Sequence, residues 1–185
     1  MSETFDNYNA YEDNNIIQSA KKDALYNVLK RNYETLLRNG EYEFLKEFLK
    51  VKTLFDNVTL PKRQTEDSAG YDICSYSDCV IPGKSHLLID TGLSFTVPEG
   101  TYGQLMPRSS LSCKGLLVGA GVIDRDYTGH VKVLIHNLNS SDYEIHAGDR
   151  VAQLILKNIS TPDVIEVESL QESVRGEGGF GSTGV

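Results

Sequence analysis

The stretch Gly121-Val122-Ile123-Asp124-Arg125-Asp126-Tyr127-Thr128-Gly129, running directly into the apolar segment His130 to Asn137, decides the fold class. Two carboxylates and a tyrosine lie between two glycines and lead into a strand, the pattern of a hairpin whose tip displays polar groups. Outward from it the same texture repeats. Segments rich in Val, Ile, Leu, Thr and Tyr occur at Tyr71 to Cys74, His86 to Leu93, Gly103 to Met106 and Arg150 to Leu156. They are broken by turn residues at Pro82-Gly83, Pro98-Glu99-Gly100, Asn139-Ser140-Ser141 and Ala147-Gly148-Asp149. Many short strands with no helical pattern between them predict an antiparallel sandwich, jelly roll or barrel from Val51 to about Glu168, rather than a parallel sheet.

The texture differs before residue 50. Ile16, Ile17, Ala20, Ala24, Leu25, Val28, Leu29, Leu36 and Leu37 fall at spacings of three and four, and Gly40 is placed to end that amphipathic helix. Tyr42, Phe44, Leu45, Phe48 and Leu49 repeat the spacing, so residues 15–49 predict a helical hairpin of two unequal arms. Its apolar stripe suits packing against its own fold, with docking of another protein as the sharper alternative. Residues 1–14 read as an acidic, disordered tail, and residues 175–185, with five glycines and the single large apolar Phe180, as a flexible segment.

The chain has 185 residues, enough for one well-buried domain with an appendage. Its net charge of -8 argues against a nucleic-acid polymer as partner, because that affinity rests on clustered Lys and Arg. A triphosphate remains possible if a divalent cation neutralises it. No apolar run approaches the roughly 18 residues that span a bilayer. The acidic, polar start lacks the features of a secretory signal, and the odd count of three cysteines reads as reduced thiols, so an intracellular location, cytoplasm or nucleus, is expected. Cys74, Cys79 and Cys113 form no C-x-x-C pair and no ligand set with the histidines.

Five segments carry candidate chemistry, and each has a plainer alternative. Ala69-Gly70-Tyr71-Asp72 puts a carboxylate beside a glycine at a strand start, which by itself is turn chemistry. Pro107-Arg108-Ser109-Ser110-Leu111 offers a guanidinium and two hydroxyls to phosphate oxygens, though spacing alone favours a polar loop with an ion pair. In the third segment an ionised carboxylate at Asp124 could orient and deprotonate a water, against the alternative of an Asp-rich turn. In Gly148-Asp149-Arg150-Val151-Ala152-Gln153-Leu154 the Asp-Arg pair reads as structural, and Gln153, polar among apolar neighbours, needs a partner. The fifth, Arg175 to Gly184, has the glycines of a phosphate-cradling loop but no following Gly-Lys-Ser/Thr, so it is not a Walker loop. Its Arg175 and Phe180 could close over a nucleotide.

In this order and at these separations the five segments, from about Lys50 to Val185, resemble the five motifs of the trimeric dUTP diphosphatase (dUTPase) family. The resemblance implies a mainly β, distorted jelly-roll (β-clip) core over residues 50–174, a homotrimer with sites at subunit boundaries, and residues 175–185 as a lid. It implies hydrolysis of dUTP to dUMP and pyrophosphate with Mg2+, which limits uracil in DNA and supplies dUMP for thymidylate synthesis. By the same resemblance Asp124 is the general base, Tyr127 packs on the deoxyribose and rejects a ribose, and Gly121, with Ile123 and the hairpin backbone, receives the uracil. Arg108, Ser109, Ser110 and Gln153 match phosphate contacts, Asp72 holds a magnesium-bound water, and Lys132 is a weaker match. Arg175 meets the terminal phosphates, Phe180 stacks on the uracil, and Gly181, Ser182 and Thr183 wrap the phosphate chain. Ser110 departs from a position often glycine, and His136 from one often aromatic. A dCTP deaminase or bifunctional enzyme is the rival on the same fold, but Val131 to Asn137 carries no acid for it. A regulatory, nucleotide-binding module is the other alternative.

Overall fold

The computed structural model describes residues 24, 27–28, 31–33, 35, 38, 47–174, 176 and 178. The expected tail 1–14 and most of the helical hairpin 15–49 lie outside the described residues, although every described position from 24 to 38 is helical. The strands are β1 Lys50–Thr53, β2 Tyr71–Cys74, β3 Cys79–Ile81, β4 His86–Thr96 and β5 Thr101–Met106. After a single helical turn, α1 Ser109–Ser112, come β6 Leu116–Gly119, β7 Val122–Ile123, β8 Val131–Asn137, β9 Tyr143–Ile145 and β10 Arg150–Asn158. They form a sheet of order β1-β4-β8-β6, a second of order β2-β10-β5-β7, and the pair β3-β9, with antiparallel pairing in each. This is the mainly β sandwich the strand pattern predicts. No helix among the described residues is long and apolar enough to cross a membrane.

Alternation explains why the layers hold. Along β8, Val131, Val133, Ile135 and Asn137 are buried, while Lys132, Leu134 and His136 face outward. Ile73, Val151, Ala152 and Leu154 of the second sheet are equally inaccessible and close the same core. The buried polar member, Asn137, is 1% exposed and uses its full hydrogen-bonding capacity. Its Nδ2 donates to Ile81 O (3.0 Å) and Ser141 O (2.9 Å), and its Oδ1 accepts from Asn139 N (3.0 Å) and Asn139 Nδ2 (2.9 Å).

One bulge shapes the site side of the sandwich. The β4–β8 register slips between Asp90 and Leu93, with Gly92 at φ 69°. A Cβ there would sit 2.6 Å from Val58 Cγ2, so both backbone and space call for glycine. Its polar groups are satisfied: Thr91 Oγ1 donates to Val131 O and accepts from Leu93 N (3.1 Å), Gly92 N donates to His130 Nε2 (3.1 Å), and Leu54 N donates to Gly92 O (2.8 Å).

Two expectations are corrected. Residues 124–130 are not the tip of a hairpin, because β7 pairs with β5 in one sheet and β8 with β4 and β6 in the other; they are a crossing between layers. Strands end at Asn158 rather than near Glu168, and 159–174 runs without helix or strand, leaving Val164, Ile165, Leu170 and Val174 exposed. Residues 161–162 are Thr-Pro, and proline has no N–H for a ladder.

Because Asn137 links β8 to β3 and to the 139–141 turn, Asn137→Ala is expected to lower the unfolding free energy by about 3 kcal/mol, the scale for leaving several buried partners unmatched. Urea denaturation checks this, and a loss below about 1 kcal/mol would contradict the role given to the amide.

Candidate functional site

Three of the singled-out segments meet on the second sheet. Gln153 of β10 is in register with Asp72 of β2 on one side and with Met106 of β5 on the other, so Asp72, Gln153 and the chain entering Arg108 stand side by side. The Gln153 amide donates to Pro107 O (3.0 Å), the partner its polarity called for. Gly70 makes room for it: a Cβ at that position would lie 2.5 Å from Gln153 Oε1.

The Asp72 carboxylate, 13% exposed, is gripped by two guanidinium groups. Arg108 Nε is 3.2 Å from Oδ1, and Arg150 Nη1 donates to Oδ2 at 3.1 Å. Arg108 Nη1 also donates to Arg150 O (3.1 Å), which fixes the plane of its fork. Arg108 is extended (φ -86°, ψ 138°) and precedes α1, placing the exposed Ser109 and Ser110 hydroxyls beside it. The corner therefore presents cationic and hydroxyl donors around one carboxylate, a set suited to phosphate oxygens. Two residues on, Cys74 is buried, and that burial, with the Asp72 charge second, pushes its thiol up from the usual range.

The segment 121–132 builds a second cluster. Gly121 sits at φ 110° and accepts from Leu105 N through its carbonyl (2.8 Å); a Cβ there would lie 2.8 Å from Leu105 O. Ile123 is buried, whereas Asp124 and Tyr127 are exposed. The loop between them is held from below: Tyr127 N donates to Asp124 O (3.1 Å), Tyr127 Oη to His130 O (2.9 Å), and Ser94 Oγ to Thr128 O (2.8 Å). Gly129 lies under the tyrosine ring, where a Cβ would be 2.7 Å from the phenol carbon and oxygen. Lys132 is paired to Asp90 (2.9 Å) across the strands, on the outward face of the first sheet.

Within one chain the Asp124–Tyr127 loop is set apart from the corner, although Gly121 is joined to Leu105 of β5. Ile123 lies opposite Gly103, whereas Arg108 follows the far end of the same β5 strand. At about 3.4 Å per residue the separation along the strand direction from Gly103 to Arg108 is roughly 17 Å.

The dUTPase family model matches residues 56–184. The chain belongs to the dUTPase family. It is 54% identical to the deoxyuridine 5'-triphosphate nucleotidohydrolase of Eremothecium gossypii over 138 residues, covering 74% of this chain and 90% of that protein. Against the protein of the same name from Arabidopsis thaliana the identity is 52% over 139 residues, covering 75% and 84%. Among solved structures, the Staphylococcus bacteriophage 80alpha dUTPase with dUPNHPP superposes with a TM-score of 0.71 at 33% identity, covering 75% of this chain and 99% of that one. A structure of the phage phi11 dUTPase of S. aureus (TM-score 0.64, 29% identity, covering 68% and 99%) concerns the coordination of a structural Mg(II) ion.

Of the residues expected to serve a dUTPase site, Asp72, Arg108, Ser109, Ser110 and Gln153 form the corner, and Gly121, Ile123, Asp124 and Tyr127 the second cluster. Arg175, Phe180, Gly181, Ser182 and Thr183 lie outside the described residues. The sequence reading missed Arg150, which was paired with its neighbour Asp149. Asp149 Oδ2 instead accepts from His146 N (2.9 Å) and closes the turn, while Arg150 crosses to Asp72. Adjacent residues entering a strand point to opposite faces, and that rule was the available signal.

Proposed function

We propose that this dUTPase-family chain hydrolyses dUTP to dUMP and pyrophosphate, cleaving the α–β phosphoanhydride with an activated water. The observation that carries the reading is the convergence of Asp72, Arg108 and Gln153 into one donor-rich corner. Arg108, Ser109, Ser110 and Gln153 receive phosphate oxygens, and Arg150, through Asp72 and its own carbonyl, keeps the Arg108 fork in place. Asp124 is the general base, exposed on a loop whose backbone is braced by Tyr127, Thr128 and His130. Tyr127, its hydroxyl committed to His130 O, offers its ring to the deoxyribose. The uracil is received beside Gly121 and Ile123, with Lys132 at most at the margin because it is paired to Asp90. Arg175, Phe180, Gly181, Ser182 and Thr183 close over the nucleotide.

The donor set fits magnesium carried in by the substrate. Among the described residues no three His, Cys, Asp or Glu side chains are grouped to hold a metal, as expected where phosphate oxygens and water supply most ligands and Asp72 holds one of those waters. Bound in this way, Mg2+ supplies charge neutralisation to the triphosphate, which matters in a chain of net charge -8.

The working unit in this proposal is a homotrimer. The roughly 17 Å along β5 from Gly103, beside which the Asp124 loop departs, to Arg108 is too long for one chain to present both to one phosphate, where a base needs contact within about 3 Å of its proton. A second copy presenting its loop to the corner supplies the missing half, and the exposed apolar residues of 159–174 are the surface a lone chain would leave in water. An intracellular site of action, cytoplasmic or nuclear, is supported by three cysteines that are all unbridged.

With Mg2+ and a panel of dUTP, dTTP, UTP and dCTP, pyrophosphate is expected from dUTP; comparable turnover of dTTP, or ammonia from dCTP, would overturn the reading. Asp124→Asn is expected to lower kcat about 100-fold or more while dUTP binding persists; a near-normal kcat would remove Asp124 from the role. A chain ending at residue 174 is expected to fold yet lose turnover, and full activity in that variant would contradict the closing segment.

A further inference from the structure

On the outward face of the first sheet, His86 of β4 and His136 of β8 stand directly opposite each other in register, with ring centres 5.4 Å apart. They border a cavity of about 410 Å³ together with Lys84, Ser85, Asn137 and Leu138. Two imidazoles sharing one tetrahedral ion at the usual Zn–N distance of ~2.0–2.1 Å place their ring centres roughly 5 Å apart. The observed centre-to-centre spacing is of that size, with the His136 Nε2 edge turned to Gly119 and so its Nδ1 as the nitrogen left for an ion.

The support around the pair is fixed before any ion arrives. Asn137 N donates to Ser85 O (2.8 Å) and Lys84 N to Asn139 O (2.8 Å), clamping the strand ends, and the four bonds of the Asn137 side chain lock the residue next to His136. The His136 ring lies on Gly119, where a Cβ would come within 2.4 Å of Nε2. The Lys84 ammonium on the rim is engaged by Leu138 O (2.5 Å). Farther along the same face, Asp90 and Lys132 neutralise each other.

We infer that His86 and His136 form a two-imidazole site for a borderline divalent transition ion such as Zn2+, open to water or a small ligand at the remaining positions. No third His, Cys, Asp or Glu joins them among the described residues, so the site is an exchangeable one rather than a closed structural centre. Mg2+, which prefers oxygen ligands, does not compete for it. His136 is five residues along β8 from Val131, about 17 Å from the exit of the Asp124–Tyr127 loop, and neither histidine is among the residues given a role in dUTP hydrolysis.

The test is a calorimetric titration of the full-length, tag-free protein with Zn2+ in chelator-free buffer containing Mg2+, at pH about 7.5. One equivalent per chain is expected. In NMR spectra of the four imidazoles, the signals of His86 and His136 are expected to shift while those of His130 and His146 stay in place. His86→Ala and His136→Ala should each weaken Zn2+ at least tenfold with dUTP turnover unchanged. Gly119→Ala, which keeps both imidazoles but displaces one ring, should weaken it too; if that variant does not fold, the exposed His86→Ala carries the test. Absence of saturable binding, binding unaltered in both histidine variants, or a response of these imidazoles to pyrophosphate instead of Zn2+ would overturn the assignment.

Discussion

A carboxylate largely withdrawn from water must be compensated, and Asp72 is compensated twice, by Arg108 and Arg150. That double pairing ties together β2, the turn leaving β5 and the start of β10, three pieces far apart in sequence. With Gln153 bound to Pro107 O and Gly70 vacating the space beside it, the corner has one arrangement in which its polar groups are matched. The Arg108 guanidinium is consequently held in one orientation, so in its proposed role of receiving phosphate little of the binding free energy goes into ordering it.

The same topology that builds this corner keeps the catalytic loop away from it. β7 is fastened to β5 at Gly103, and the loop after it crosses to the other sheet, anchored at the bulge around Gly92. Asp124 and Arg108, the proposed base and phosphate receptor, thus lie toward opposite ends of β5 in one chain. Charge has a related consequence: in the proposed reading an acidic protein holds a polyanion, with Arg108 and Arg150 at the corner and a divalent cation completing the neutralisation.

Strands were legible in the sequence wherever β-branched residues ran between turn residues, and four of those turns lie where Pro, Gly, Asn and Asp place them. Asp72, Arg108 and Gln153, which the fold brings into one corner, stand out in the sequence through the order of their segments along the chain. Partnerships do not. Arg150 reaches Asp72 across 78 positions, a pairing fixed by sheet register and invisible to local spacing, so the nearer Asp149 drew it instead. The crossing at 124–130 looks like a hairpin because its flanks are strand-like; which sheet each flank joins is set by partner strands distant in sequence. α1 escaped notice because Ser-Ser-Leu-Ser has little intrinsic helix preference and forms one turn under tertiary constraint. Beyond Asn158 the β-branched residues read as strand, but Pro162 lacks the N–H a ladder needs and 159–174 forms no strand.

The central claim, that one active site takes its base and its phosphate corner from different copies, is tested most directly by mixing two inactive variants. Asp124→Asn and Arg108→Ala chains would be unfolded together, refolded at equal amounts and assayed with dUTP and Mg2+. Random assembly of a closed three-fold ring pairs an intact base with an intact corner in about a quarter of the sites, so activity near a quarter of the unmutated protein is expected. A mixture as inactive as its two components, in trimers shown to contain both chains, would contradict the account.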